Sequence, residues 1–443
     1  MLMDKVLKNN YVVLPLILVL HLLLLFLNKF TAWPEILTWP YLILKGWLPY
    51  RDIGIAHTPL LIVTLSLFYK LVGIGLLQLK FVTWVIVAIS DILVFRVADK
   101  LWGKKTAVLS LLLYIPLQLF YEGNSLWFDL ALTPLIISLY YFAKKQNYFL
   151  VGIFWALAYL TKQTAVWFMI PTIMYTQGLA LKGITKTAVN IILGILIVFI
   201  PFALLLISFH LIDDFYFWAI KFALGVLPQA TGQVILPDLL QLAKSYLVFL
   251  PLVFTPELLV WAIAGSLSAF PRWEMFHFQP ALPFVAFAIA RIFVKHQSGK
   301  QKSAVYFVLI LFAPFLIRTY IRDFQRPSRF YEPEVKKVAE YVKSKVTFNE
   351  KIVVLNSWDH FYVLTDTLPA YQPWIPQLSW YLQEDSIERQ MYMDIEYSKP
   401  KLIILSPYKN SGLGSYKSYF TDELLNNYVT TYKTENFEVL QLK

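Results

Sequence analysis

Apolar residues in this chain fall into runs long enough to cross a lipid bilayer, and this segmentation restricts the fold more than any motif does. A bilayer core about 30 Å thick needs about 20 mostly apolar residues in a helix. The first run covers residues 11–27, and no small-x-small cleavage site follows it, so we expect an uncleaved span with a cytoplasmic N-terminus. Further runs cover residues 79–98, 106–121, 127–143, 148–161, 164–177, 187–209, 241–254, 256–270, 279–294 and 303–320. The pattern predicts a polytopic α-helical membrane protein with about eleven transmembrane helices.

The composition agrees with a membrane location. Hydrophobic residues make up 58% of the 443 residues and charged residues 15%, whereas soluble domains have about 45–50% and about 25%. These values exclude a disordered chain and disfavour an ordinary soluble enzyme. The absence of cysteine excludes a disulfide scaffold and Cys-ligated metal sites. We attribute the net charge of +11 to cytoplasmic loops, and we expect no nucleic-acid partner.

Basic residues indicate which loops face the cytoplasm. Lys and Arg occupy four gaps between predicted spans, at residues 100–105, 144–145, 182–186 and 291–302. If all four gaps are cytoplasmic, the spans alternate consistently and the C-terminus lies outside. Four arginines disagree with this order, because they would lie just outside the last span, where we expect them to pair with lipid phosphates or with the domain that follows: Arg318, Arg322, Arg326 and Arg329. A span at 57–77 would invert this order. We therefore expect a helix along the outer interface there, within a first external loop over residues 31–78.

The composition changes at about residue 321, where charged residues become frequent and the apolar runs shorten. Residues 334–346 have the apolar spacing of a helix, and residues 383–397 are also compatible with one. Residues 351–355 and 402–405 have the composition of buried strands. We predict a transmembrane domain over 1–320 and a small extracytoplasmic α/β domain over 321–443, in a chain of the prokaryotic plasma membrane.

Four polar clusters lie outside the membrane in this topology, where ionisable residues are candidates for function. The first is a loop over residues 45–60, in which Asp52 stands beside Arg51 and His57 follows five residues later. A carboxylate in such a loop can take a proton from an attacking hydroxyl, or it can form an ion pair that only stiffens the loop. Glu35, near the start of the same external loop, is a weaker candidate.

The next two clusters open or interrupt apolar runs. Residues from Glu122 to Asp129 lead into a span, and Asp129 needs either a charged partner or a role as a helix cap. Asn124 or Ser125 is the better cap, which leaves Asp129 without that explanation. Lys162 lies in a polar break and can neutralise a phosphate, or it can extend its ammonium group to the membrane interface.

The fourth cluster places Arg272, Glu274 and His277 within six residues of a short turn between two spans. Arginine suits phosphate oxygens, although a membrane-facing turn often carries charge and tryptophan without any chemistry. No cluster has the spacing of a metal site, so a divalent cofactor is unsupported. Phosphate-loop and nucleophile-elbow patterns are also missing, which argues against ATP-driven transport and serine hydrolysis.

The order of these clusters resembles the GT-C superfamily of integral-membrane glycosyltransferases, which use polyprenyl-phosphate-linked sugars. The resemblance is greatest to the branch that holds protein O-mannosyltransferases and the lipid A aminoarabinose transferase. It covers about residues 5–320. The motifs that carry it are Gly-Trp-Leu-Pro-Tyr-Arg-Asp-Ile with His-Thr-Pro-Leu, Glu-Gly-Asn-Ser-Leu-Trp-Phe-Asp, Ala-Tyr-Leu-Thr-Lys-Gln-Thr, and Pro-Arg-Trp-Glu-Met-Phe-His-Phe-Gln-Pro-Ala-Leu-Pro.

This resemblance implies cell-envelope glycosylation by inverting transfer from a polyprenyl-phosphate sugar to a hydroxyl of a glycan, lipid or protein. The first-loop acid that serves as base or orienting group corresponds best to Asp52 and next to Glu35. Asp129 matches the acid that opens a later span. The basic positions near the lipid phosphate match Lys162 and Arg272, with His277 beside the latter. Relatives often have an Asp-Glu pair soon after the first span, whereas this chain has only Glu35 there. The nearby charges of His57, Arg51 and Glu122 complete the predicted substrate-binding set.

Two other classes of function stay open at this point. A transporter or flippase for a lipid-linked or small polar substrate usually has repeated halves and polar groups near the middle of the bilayer. This sequence has no repeat, and its polar groups cluster at one face. A non-catalytic scaffold with an external α/β domain would lack a phosphate-sized basic pocket near Asp52 and Asp129. We therefore prefer the enzyme. The sequence leaves the oligomeric state open.

Overall fold

A computed structural model describes residues 10–174, 181–230, 232–294, 298–355, 357–376, 381, 385–406 and 426–443. Its α-helices are Asn10–Leu27, Pro34–Leu44, Leu60–Val72, Leu76–Trp102, Lys104–Phe120, Phe128–Lys144, Tyr148–Thr161, Met169–Met174, Leu181–Ser208, Ile212–Phe215, Leu239–Tyr246, Pro256–Ser266, Leu282–Val294, Gly299–Asp323, Pro333–Lys343, Phe361–Thr365 and Asp385–Ser398. Shorter 3₁₀ segments are Gln163–Phe168, Leu227–Gln229, Leu247–Phe254, Leu267–Ala269 and Met275–Ala281, and Tyr216–Val226 is a π-helix. The protein is therefore mainly helical, as predicted.

Several of these helices have the length and hydropathy needed to cross a bilayer. Among the described residues, four helices meet both requirements, namely Leu76–Trp102, Thr185–Ser208, Met275–Val294 and Gly299–Asp323. Shorter apolar helices are Val12–Leu27, Leu60–Val72, Tyr148–Thr161, Leu239–Phe254 and Pro256–Ala269. The most apolar window of Thr185–Ser208 is only 11% buried inside the protein, and such a surface needs an apolar solvent. These helices confirm a polytopic membrane protein, and the count of about eleven spans stays a prediction.

Several predicted spans contain 3₁₀ segments, and two of them have long ones. The run predicted over 164–177 begins as the 3₁₀ segment Gln163–Phe168 before the α-helix Met169–Met174, and residues 175–177 lie outside the described residues. The run predicted over 241–254 changes from α to 3₁₀ geometry at Leu247. This second segment contains Pro251, which lacks the backbone N–H that a continuous α-helix needs.

Helix Leu60–Val72 occupies the segment that we expected along the interface. Its 13 residues span about 20 Å, which is too short for a bilayer core. One face of the helix packs against Pro34–Leu44 and buries Leu61 and Leu65. Leu67 and Leu71 are exposed on the rest of its surface. An apolar surface of this kind suits a helix that lies in the interface.

The chain divides into two compact units that do not follow its linear order. Unit 1 comprises the described residues within 1–31, 80–203 and 236–326. Unit 2 comprises those within 32–79, 204–235 and 327–443, so the first external loop belongs to the same unit as the C-terminal residues. The predicted boundary between residues 320 and 321 stays a prediction.

Unit 1 has its core around helix Leu282–Val294, which packs against Lys104–Phe120. Glu257, on helix Pro256–Ser266, accepts hydrogen bonds from Lys144 Nζ at 3.0 Å and from Arg291 Nη1 at 2.6 Å. One carboxylate thus contacts Lys144 and Arg291, which come from two of the predicted basic gaps, and the orientation of these gaps in the membrane stays a prediction.

Unit 2 contains a five-stranded sheet in the order β2-β1-β3-β5-β4. The strands are β1 (Lys351–Leu355), β2 (Leu368–Pro369), β3 (Leu402–Leu405), β4 (Tyr428–Lys433) and β5 (Glu438–Leu442). β1 pairs in parallel with β2 and β3, whereas β5 pairs antiparallel with β3 and β4. The predicted strands at 351–355 and 402–405 are therefore confirmed as parts of a small α/β fold, in which they pair with each other. The predicted helices are Pro333–Lys343 and Asp385–Ser398, and residues 383–384 lie outside the described residues.

Candidate functional site

Three of the predicted site residues meet in the interior of unit 1. Lys162 Nζ donates to the two carboxylate oxygens of Asp129 at 2.6 and 2.8 Å. His277 Nδ1 lies 2.8 Å from Asp129 Oδ2 and 3.1 Å from Lys162 Nζ. The side chains of Asp129, Lys162 and His277 are only 0%, 6% and 10% exposed. A carboxylate, an ammonium group and an imidazole are thus held together out of water.

Local backbone breaks place these side chains. Lys162 ends helix Tyr148–Thr161 with an extended backbone and begins the next 3₁₀ segment, so its side chain leaves the helix direction. His277 lies in the 3₁₀ segment Met275–Ala281. Asp129 occupies the first turn of helix Phe128–Lys144, where the exposed N–H groups favour a negative charge. Trp127 precedes this helix and no side chain caps it, so neither Asp129 nor Asn124 or Ser125 is the cap, and Asp129 is explained by its charged partners.

A second ion pair, between Glu274 and Arg272, lies next to His277 and is more exposed to solvent. Glu274 Oε2 lies 3.8 Å from His277 Nε2, and Glu274 Oε1 lies 3.1 Å from Arg272 Nη2. Along this row the exposed fraction increases to 28% at Glu274 and is 22% at Arg272. The row alternates acid and base from Asp129 to Arg272, so its charges are nearly balanced. Arg272 is the guanidinium at the end of the row, and it is more accessible than Lys162.

The first external loop in unit 2 is held by backbone hydrogen bonds around Asp52. Asp52 Oδ2 accepts from Leu48 N–H at 2.7 Å, and its backbone oxygen accepts from Trp374 N–H at 2.8 Å. Tyr50 has a positive φ of 70° and donates its hydroxyl to the His57 carbonyl. These bonds fix a half-buried carboxylate in a loop of defined shape.

Arg51 turns away from its neighbour Asp52 and binds the end of another segment of unit 2. Its Nη2 donates to the carbonyls of Phe209 and His210 at 3.0 and 2.5 Å, and its Nε lies 3.4 Å from Asp214. The alternative in which Arg51 pairs with Asp52 therefore has no support in the hydrogen bonds of these residues. The loop is tied instead to the turn that follows helix Leu181–Ser208.

The remaining predicted residues have varied surroundings. Glu35 is 9% exposed on helix Pro34–Leu44. The pKa of Tyr381 is raised mainly by burial of its hydroxyl and further by the charge of Glu35. His57 is half-buried and lies edge-on to Trp39 at 6.4 Å. Glu122 is exposed with a φ of 57°, and its carbonyl accepts from Ser125 Oγ.

The structure thus groups the predicted residues by unit. Asp129, Lys162 and His277 form one cluster with Arg272 and Glu274 in unit 1, whereas Glu35, Arg51, Asp52 and His57 belong to unit 2. Within the described residues, no group of three potential metal ligands is found. Gln118 and Gln279, both fully buried in unit 1, were not predicted from the sequence, because uncharged amides inside apolar runs give little signal.

Comparisons with known proteins identify the fold. The family described as dolichyl-phosphate-mannose-protein mannosyltransferase matches residues 56–207. The crystal structure of ArnT from Cupriavidus metallidurans bound to undecaprenyl phosphate matches with a TM-score of 0.66 and 12% identity, covering 96% of this chain and 97% of that one. The apo structure of the same protein matches with a TM-score of 0.62 and 11% identity over the same shares. A search of curated protein sequences gave no significant match.

Proposed function

Because the chain has the fold of the GT-C superfamily of membrane glycosyltransferases, we propose that it moves a sugar from a polyprenyl-phosphate donor to an acceptor hydroxyl. The transfer takes place on the extracytoplasmic face and inverts the anomeric centre. The match to ArnT, solved with undecaprenyl phosphate, supports a lipid phosphate as part of the donor. The match to a mannosyltransferase family over residues 56–207 supports sugar transfer as the reaction.

The observation that carries this proposal is the row of charges from buried Asp129 to Arg272. In the reaction, the acceptor oxygen attacks the anomeric carbon, the bond from that carbon to the phosphate oxygen breaks, and a carboxylate takes the hydroxyl proton. Negative charge then grows on the departing lipid phosphate, where a preorganised cation lowers the barrier. Arg272 is the cation that we assign to this phosphate. Arg272 pairs with Glu274 but is 22% exposed. Lys162 is only 6% exposed and is held by both oxygens of Asp129, so we assign Lys162 and Asp129 to holding His277 and the adjoining turn.

We assign the general base to Asp52. It is a half-buried carboxylate whose orientation is fixed by Leu48 N–H, and a fixed base within hydrogen-bond reach of the hydroxyl is what proton removal needs. Glu35 is the second candidate. Arg51 and His57 support the loop through their contacts within unit 2.

Sugar transfer by the purified chain in liposomes tests the proposal. Donors would be a panel of labelled polyprenyl-phosphate sugars with membrane lipids, glycans and peptides as acceptors. Asp52→Asn should lower the rate by about 10²–10⁴-fold, the usual contribution of a general base. The matched control is Asp213→Asn, an exposed carboxylate of the same unit, which should keep full activity.

Two outcomes would contradict the proposal. Full transfer by Asp52→Asn would remove this carboxylate from the mechanism. Movement of the lipid-linked sugar between leaflets without any transferred product would identify a flippase instead of a transferase.

A further inference from the structure

A second pair of ionisable residues lies inside unit 1, within the apolar helices. His21 on Asn10–Leu27 has Nδ1 2.7 Å from Oδ2 of Asp91 on Leu76–Trp102, and the residues are 0% and 1% exposed. Ionisable side chains at membrane depth are costly, and they persist where they serve a function. Asp129, Lys162 and His277 are not among their hydrogen-bond partners, so this pair needs its own explanation.

The hydrogen bonds around His21 assign its protons. Gln118 Nε2 donates to the carbonyl of Gly123 at 2.8 Å, which leaves Gln118 Oε1 facing His21 Nε2 at 3.2 Å. An amide oxygen only accepts, so His21 Nε2 carries a proton. One further proton must then lie between His21 Nδ1 and Asp91 Oδ2, because two acceptors would repel each other.

Gln118 connects this pair to the turn that precedes Asp129. A Cβ added to Gly123 would lie 2.2 Å from Gln118 Nε2, so the close approach requires glycine. The backbone carbonyl of Gln118 accepts from Gln279 Nε2 at 2.9 Å. Gln279 also donates to the Tyr121 carbonyl at 2.7 Å. Both glutamines are fully buried.

This network reaches the site from two directions. Gln279 stands two residues after His277 in the same 3₁₀ segment, Met275–Ala281. The turn over residues 121–125, held by Gln118 and Gln279, leads into the helix that begins at Phe128 and carries Asp129. Directional bonds fix both the distance and the rotation of a segment, whereas apolar contacts mainly fix distance.

We propose that His21, Asp91, Gln118 and Gln279 form a buried polar tether that positions His277 and Asp129 and, through them, the turn that carries Arg272. These four are positioning residues, and the inference rests on the proposed sugar transfer. A misplacement of about 1 Å can cost about 10²-fold in rate even from outside the reacting groups. Loss of the tether should therefore lower kcat without a comparable effect on substrate affinity.

The first experiment replaces Gln279 by methionine, which keeps its size and removes both donated bonds. We expect Gln279→Met to lower kcat at least tenfold, with the KM for donor and acceptor within twofold of the wild type. The thermal melting temperature in detergent should change little. Gln301→Met, on helix Gly299–Asp323 of the same unit, is the matched control and should behave as wild type.

The second experiment uses rescue by a conservative variant. Asp91→Asn can still donate to His21 Nδ1, which keeps the proton on His21 Nε2 and the bond to Gln118. Asp91→Leu cannot, and the imidazole is then free to take the other tautomer. We expect Asp91→Asn to keep at least a third of wild-type kcat and Asp91→Leu to lose at least nine-tenths. Equal loss in both variants would overturn the tether, as would unchanged kcat in Gln279→Met.

A readout without turnover separates this inference from the proposed function. In protein labelled with ¹⁵N-histidine, the His277 ring signals, assigned with His277→Gln, should shift in Gln279→Met and stay in place in Gln301→Met. Unmoved His277 signals would overturn the tether. Shifted signals in a chain that transfers no sugar would leave the tether standing and refute the transferase.

Discussion

Lys162 Nζ lies 2.6 and 2.8 Å from the two carboxylate oxygens of Asp129, in a pair almost entirely removed from water. Burying both charges costs several kcal/mol per ion, and their attraction does not always repay it. A well-packed apolar pair would be at least as stable in many proteins. The pair is therefore better explained by the arrangement it imposes on His277 than by its contribution to stability.

The pair predicts different outcomes for single and double variants. Asp129→Asn or Lys162→Met alone should destabilise the protein by about 3–5 kcal/mol, because one buried charge loses its partner. The double variant Asp129→Leu/Lys162→Met should recover most of this loss in denaturant unfolding and should transfer no sugar. A stable double variant with full activity would show that the pair is dispensable.

Arg51 should hold the turn at residues 209–210 through its two bonds to backbone carbonyls. Arg51→Lys should not replace it, because a lysine ammonium lacks the planar fork that reaches two acceptors at once. We expect faster hydrogen exchange over residues 205–215 in Arg51→Lys and Arg51→Gln. Lys70→Gln, at the exposed end of helix Leu60–Val72, is the control with normal exchange. Unchanged exchange in both Arg51 variants would contradict this role.

Much of the helical fold could be predicted because its signals are local. The helix at 148–161 has the bounds of its apolar run, and the two buried strands have the bounds of theirs. β4 could not be predicted in this way, because Tyr428–Lys433 contains one aliphatic residue and is mostly exposed. Its place depends on pairing with β5, which is a tertiary interaction.

The sequence pointed to the members of the cluster in unit 1 one by one, but it did not predict the contacts between them. Charges in apolar surroundings drew attention to Asp129, Lys162 and His277, which are separated by up to 148 residues in the chain. Their pairing depends on how the helices pack. Gln118 and Gln279 carry no charge, and their importance appears only through the bonds that they make.

Lys144 and Arg291, which both contact Glu257, mark the end of unit 1 that we expect to face the cytoplasm. Cysteine labelling can test this orientation. Asp129 and Lys144 lie at opposite ends of one helix, about 22 Å apart. Since the chain has no cysteine, single cysteines at Gln146 and at Glu122 can be labelled in intact cells with a membrane-impermeant maleimide. We expect labelling at 122 and protection at 146 until the membrane is opened. The reverse pattern would invert the proposed topology.

The stability of unit 2 should depend on pH through His360. This histidine is fully buried, with its ring stacked on Tyr331 at a centroid distance of 4.8 Å. Burial lowers the pKa of His360 to about 3, whereas an unfolded histidine has a pKa of about 6.5. At a pH between these two values, His360 is protonated in the unfolded chain and neutral in the folded chain. The free energy of unfolding is therefore independent of this histidine above about pH 6.5. Below that pH it decreases by up to about 1.4 kcal/mol per pH unit.

Urea unfolding of the full chain in detergent, followed by tryptophan fluorescence from pH 7.5 to 5, measures this dependence. His360→Phe keeps an aromatic ring in the buried position and has no group to protonate, so it should flatten the slope between pH 6.5 and 5. His210→Gln removes an exposed histidine of the same unit and should leave the slope unchanged. A wild-type slope in His360→Phe would contradict this prediction. Other groups would then cause the acid sensitivity, because the substitution removes only the protonation of His360.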